Sequence, residues 1–165
     1  MIEMTLSGDR EWNSVYSENA IEPNTGVYKW FMRTKFSERR SHFILGLATE
    51  ELNYEEYLGQ DSNSWGISHS LEFFHNGKKQ SLSVNGSKVS SGSILVVTYD
   101  SDRGAFGLME ISSEGVNTLV DIEKCLLEDI SSKRVFPAFS MFSHGDVLSI
   151  LTDLNEVSAY RAKVL

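Results

Sequence analysis

Alternation with a period of two is the feature that most restricts this chain. In YKWFMRTKF (28–36) the apolar residues Tyr28, Trp30, Met32 and Phe36 fall on one side, and Lys29, Arg33 and Lys35 on the other. Successive side chains of an extended chain point to opposite faces, so a half-buried strand is predicted, with Trp30 as a structural packing residue and Phe31 as the exception. HFILGLA (42–48) reads as a more fully buried strand, and SILVVTY (93–99), β-branched on both faces, as a central one. AFGLMEI (105–111) and VFPAFSMF (135–142) look similar. Pro137 has no N–H to give to a ladder, which predicts an edge strand or a strand start.

Turn signals separate these runs: Ser7-Gly8-Asp9, Asn24-Thr25-Gly26, Asn76-Gly77, Asn85-Gly86, Asp102-Arg103-Gly104 and Gly145-Asp146. Asn-Gly tolerates the positive φ that a two-residue hairpin needs, so Phe73 to His75 should pair back onto the chain after Lys78. Short strands at intervals of about 8–12 residues predict an all-β sandwich or barrel. One segment breaks the pattern. In DIEKCLLEDISSKR (121–134), Ile122, Cys125, Leu126 and Ile130 recur at helical spacing, with Asp121 and Glu123 early and Lys133 and Arg134 late, which predicts a short helix. No linker or repeat interrupts residues 1–165, so one domain is expected, with 1–25 wrapping a sheet edge and 151–165 forming a last strand or tail.

Charge and chemistry narrow the function. The net charge of −8 disfavours nucleic acid, whose phosphates need a basic surface; the one short basic run, Lys35 to Arg40, is interrupted by Glu38. The single cysteine, Cys125, cannot form an internal disulfide, which points to a reducing compartment and an intracellular, cytoplasmic or nuclear, location. No apolar run approaches the roughly 18 residues that span a bilayer, so no membrane is expected. The four histidines, His42, His69, His75 and His144, show no zinc-ligand spacing. Asp100 to Gly104 opens like a calcium loop, but Ile111 stands where the closing Glu belongs. There is no G-x-S-x-G, phosphate loop or dinucleotide fingerprint. Neither cofactor, metal nor catalysis is expected.

Six blocks then carry a resemblance: GVYKWFMRTKF, SHFILGLAT, YLGQDSNSWGI, FFHNGKKQ, SGSILVVTYDSDRGAFGL and FPAFSMFSHGDVLSI. Their order and spacing resemble the SPRY domain over residues 26–150. The resemblance implies a bent antiparallel β-sandwich whose loops bind protein partners. It also implies structural roles for Trp65, as an indole on a loop capping the space between the sheets, and for His75 at the hairpin. NYEEYLGQDSNSWGI is most similar to the SPRY-domain SOCS-box proteins, without a following SOCS box. By that match Tyr54 falls on a pocket tyrosine that contacts an Asn-rich acidic peptide. The pocket's Arg falls near Tyr16 and its Trp near Ser143, so neither is kept.

The expected partner surface is therefore carried by three loops: Tyr16, Ser17, Glu18 and Asn19; Glu51, Asn53 and Tyr54; and Phe142, Ser143 and His144. Tyr54 and Phe142 are the expected apolar anchors. With Glu18, Glu50, Glu51, Glu55 and Glu56 close in sequence, a neutral or basic protein segment is the expected partner, bound by a monomer acting as a recognition or scaffold part of a larger assembly such as a ubiquitin ligase. A carbohydrate-binding or small-molecule-binding sandwich is the alternative, and an exposed Trp12 would favour it.

Overall fold

In the computed structural model, twelve strands form two six-stranded antiparallel sheets. It describes residues 12–35, 42–82, 88–90, 92–130 and 132–142 fully, and 2–5 and 147–151 as backbone. The strands are β1 Ile2–Thr5, β2 Asn13–Tyr16, β3 Val27–Lys35, β4 Phe43–Ala48, β5 Ser64–Ser68, β6 Glu72–His75, β7 Lys78–Ser81, β8 Ile94–Asp100, β9 Ala105–Ser112, β10 Gly115–Val120, β11 Phe136–Met141 and β12 Val147–Leu151. One sheet has the order β1-β12-β3-β8-β9-β10, the other β2-β11-β4-β5-β6-β7. The N-terminal segment thus supplies an edge strand to each sheet.

Alternation becomes packing. Met32, Leu95, Val97, Phe106 and Leu108 from the first sheet meet Phe43, Leu45, Leu47, Trp65, Ile67, Phe139 and Met141 from the second in one buried core, with Trp30 packed against it. Phe31 joins Ile94, Val96 and Ile111 on the opposite face of the first sheet, which explains the break in its pattern. Asn76 and Gly77 both take positive φ, 52° and 71°, and turn β6 into β7 with His75 opposite Lys78. Phe36 and the turns at 7–9, 85–86 and 145–146 lie outside the described residues.

Two expectations need correction, and one with two alternatives is resolved. Residues 121–134 form no helix among the described residues. Cys125 and Leu127 point inward while Leu126 is 63% exposed, which is the period of an extended chain. The backbone of this segment pairs with the start of β9, through Phe106 N–H to the Cys125 carbonyl at 2.9 Å and Leu127 N–H to the Gly104 carbonyl at 2.8 Å. Asp129, at φ 58°, breaks any helical run. Tertiary pairing has overridden local propensity. Of the two placements expected for Pro137, the strand start holds and the edge does not, since β11 lies between β2 and β4. Pro137 sits second in the strand, level with Ser17, where β2 has already ended.

Trp65 is in β5, not on a loop, and is 1% exposed. Its ring stacks on His75 at 4.8 Å and its indole N–H donates to the Glu128 carbonyl at 2.7 Å. His75 Nδ1 in turn donates to the Ser64 carbonyl at 2.8 Å. The indole therefore joins the second sheet to the segment that carries Cys125 and Leu127. Trp65→Ala is expected to cost about 3–5 kcal/mol. Trp65→Phe should recover most of the packing but leave the Glu128 carbonyl without its donor, a distinction that chemical denaturation of the two variants would measure.

Candidate functional site

The site lies on the outer face of the second sheet. In β2, Val15 faces the main core, so Trp12, Ser14 and Tyr16 face outward. There Ile44, Ala48 and Ala138 form a second, smaller core, and residues 49–63 cross it without regular structure, burying Leu52 and Leu58. Gly66 makes this approach possible. A Cβ at that position would drive into the Ile44 side chain and meet Leu58 Cβ at 2.9 Å.

A crossing segment buries backbone groups that must find partners. Two serines provide them. Ser14 N–H donates to the Tyr54 carbonyl at 2.9 Å, and its hydroxyl donates to the Glu56 carbonyl. That uses the only proton of the Ser14 hydroxyl, so the Ser140 hydroxyl donates to it across 2.6 Å and accepts the Leu58 N–H at 2.8 Å. Both serines are buried. Gly59 N–H is met by Ser64 Oγ at 2.7 Å, and the hairpin turn docks through Gly77 N–H to the Gly59 carbonyl at 3.0 Å.

Tyr54 is held in place by this anchoring and remains 54% exposed. Its ring stacks on Tyr16 at 6.1 Å and 16°, Tyr16 tilts onto Phe136 at 4.8 Å, and the Arg134 guanidinium lies 5.4 Å from the Phe136 ring. Arg134 is held in turn by Glu22 and Glu50, each at 3.0 Å. The hydrogen bond with Tyr54 raises the Tyr16 phenol pKa above its ordinary value, helped by burial and by Glu50. Glu18, Glu51 and Glu55 are exposed around the tyrosine pair. Asn53 Oδ1 accepts the Glu55 N–H at 3.1 Å, an Asx turn that shapes the loop tip. Ser17 is fixed through its N–H to the Pro137 carbonyl at 2.8 Å, and Asn19 is exposed beside it.

Tyr16, Ser17, Asn53 and Tyr54 thus come together at one end of β2. Phe142 lies at the other, against Trp12 at 5.2 Å and His42 at 6.1 Å. Trp12 and Tyr16 are separated by four residues of extended chain, about 13 Å, so the two expected anchors do not share a pocket. Ser143 and His144 lie outside the described residues. Trp12 is half-buried between Tyr57 and Phe142, not an open platform. Nothing in the sequence singles out Ser14 or Ser140; their meeting follows from the pairing of β2 with β11.

Among the described residues, no three His, Cys, Asp or Glu side chains are grouped to hold a metal ion, and no helix is long and apolar enough to cross a membrane. The Cys125 thiol is buried, which pushes its pKa up to about 11 and suppresses the reactive thiolate.

This sandwich has the SPRY fold. It superposes on the SPRY domain of human HERC1 with a TM-score of 0.63 and 16% identity, over 87% of this chain and 84% of that one. The PSpry domain of TRIM65 matches with a TM-score of 0.63 and 19% identity, over 85% and 69%. A human SPRY domain matches at 0.60 and 12%, over 87% and 86%. No family model and no curated protein matches the sequence.

Two measurements test the site. Ser140→Ala removes the partner of the Leu58 N–H and is expected to cost about 1–3 kcal/mol, with faster amide exchange at Leu58. His69, half-buried beside His42, has its pKa lowered from 6.5, first by burial and then by His42. The folded state therefore binds fewer protons than the unfolded one, and stability falls as pH drops below about 6.5. Thermal melts from pH 7.5 to 5 should show a smaller loss for His69→Asn than for the wild type.

Proposed function

We propose that this domain is a protein-recognition module that reads an extended segment of a partner through the Tyr16–Tyr54 end of its second sheet. The observation that carries the reading is Tyr54, a large ring left half in water yet stacked and fixed by backbone bonds on a rigid scaffold. An ordered aromatic loses little conformational freedom on binding, and such residues dominate contacts between proteins. Likeness to the SPRY-domain SOCS-box proteins supports the same face, since Tyr54 matches their peptide-contacting tyrosine. It does not support the same ligand. Arg134, the cation beside the tyrosines, is already bound to two carboxylates, and the exposed Glu18, Glu51 and Glu55 repel an acidic peptide.

The partner segment is neutral or basic, with an apolar anchor against Tyr54. The domain acts without catalysis, inside the cell, as a monomeric recognition or scaffold part of a larger assembly such as a ubiquitin ligase. Titration of two labelled peptides tests this, one acidic and Asn-rich, one basic with a central aromatic residue. The basic peptide should bind more tightly and weaken as salt rises, and Tyr54→Ala should reduce its affinity about tenfold without altering the melting temperature. Micromolar binding of the acidic peptide, lost on Tyr54→Ala, would overturn the reading.

A further inference from the structure

At the far end of β2 from Tyr54, the outer face of the second sheet bears a hollow. A recess of about 150 Å³ is lined by Trp12, His42, Phe43, Ile44, His69 and Phe74, with Ser68, Ser70 and Glu72 completing its wall. We infer that this recess is a subsite for the phenyl ring of an uncharged aromatic side chain carried by the partner segment. It rests on the protein-recognition reading for the source of the ring, but not for the binding of the ring itself.

Size comes first. A recess of about 150 Å³ has room for one benzene ring. The walls then select a ring. Trp12 is backed by Tyr57 and Phe142, and His42 and His69 meet edge to face at 4.9 Å. Aromatic walls favour tilted and edge-to-face partners over aliphatic ones.

Ser68, Ser70 and Glu72 in the wall already satisfy one another, while the buried Nδ1 of His69 has no partner. Ser68 Oγ accepts the Glu72 N–H at 3.1 Å and shares a hydrogen bond with Ser70 at 3.1 Å. Ser70 donates to Glu72 Oε1 at 3.1 Å, and Lys79 pairs with Glu72 Oε2 at 3.0 Å. An incoming ring therefore displaces no hydrogen bond of this group, and the one carboxylate is already compensated. Burial keeps His69 neutral near pH 7. A cation would lose its hydration with Glu72 already paired and Lys88 acting on His69, and an anion would find only the exposed Lys88, whereas a phenyl ring loses only apolar contact with water. Trp12 lies about 13 Å along β2 from Tyr16, so an extended segment anchored at Tyr54 would bring a side chain about four residues away over the recess.

Heteronuclear NMR titration with toluene, p-cresol, butylammonium and acetate tests this on the folded protein. Toluene should shift the Trp12 indole N–H and the ring signals of His42 and His69, and bind more tightly than either ion. Trp12→Ala should weaken it about three- to tenfold. If that variant fails to fold, Ser70→Leu, which narrows the recess from its rim, should weaken toluene in its place. Tighter binding of either ion, or toluene shifts away from Trp12, would overturn the subsite. The basic peptide is then compared with Phe or Ala placed four residues from its aromatic anchor. A gain for Phe that disappears in Ser70→Leu supports the partner as the source of the ring. Equal affinities, with Tyr54→Ala still harmful, overturn that source while the recognition surface at Tyr54 stands. Loss of all peptide binding, with toluene still bound, overturns the recognition reading instead.

Discussion

Fifteen residues without regular structure, 49–63, must lie against a sheet with their backbone groups satisfied, and the rest of the site depends on how this is done. The solution is the hydroxyl pair of Ser14 and Ser140, which turns two strand positions into donors and acceptors for a segment that offers no ladder of its own. An unmet buried backbone group costs about 1–3 kcal/mol, so each hydroxyl is worth more than its single bond. Gly66 removes the side chain that would hold the segment off, and Leu52 and Leu58 then fill the smaller core. Tyr54 follows from this anchoring, because the bond from Ser14 to its carbonyl fixes where its ring can stand.

The two cores divide the labour. The inner one, around Trp65, Leu45 and Val97, holds the sheets together and uses residues that alternation exposes to view. The outer one shapes a surface. It is built from small residues in the strands, Ala48 and Ala138, so that larger groups from outside can be seated on them. A strip running along β2 results, with a stacked tyrosine pair and an ion-bridged Arg134 at one end and a recess of rings at the other.

Much of the fold was legible. Alternation marked β3, continuous apolar and β-branched runs marked β4, β8, β9 and β11, and Asn76-Gly77 marked the hairpin, because strand patterning and positive φ are local properties. What was not legible depended on partners distant in sequence. Cys125 and Leu126 read as helical until the backbone of that segment pairs with the start of β9, which no local pattern encodes. Pro137 left an edge and a strand start open, and the early end of β2, which the sequence does not show, decides for the strand start. Resemblance singled out Tyr54, and also Tyr16 as part of a loop, whereas Tyr16 stands at the end of β2. Ser14 and Ser140 were not legible, since a serine that pins a loop looks like any other serine. Tyr54 and Phe142 were read as one surface, but β2 sets them at opposite ends of a strip.

The Ser14–Ser140 contact joins residues 126 positions apart. Contacts of such separation close late, because the entropy of a long loop is lost before the contact compensates for it. The segment bearing Tyr54 cannot dock until β2 and β11 lie side by side. During synthesis on the ribosome, the Tyr16–Tyr54 face therefore stays unformed until β11 has emerged and paired with β2. A nascent or half-folded copy does not present the stacked tyrosine pair at all.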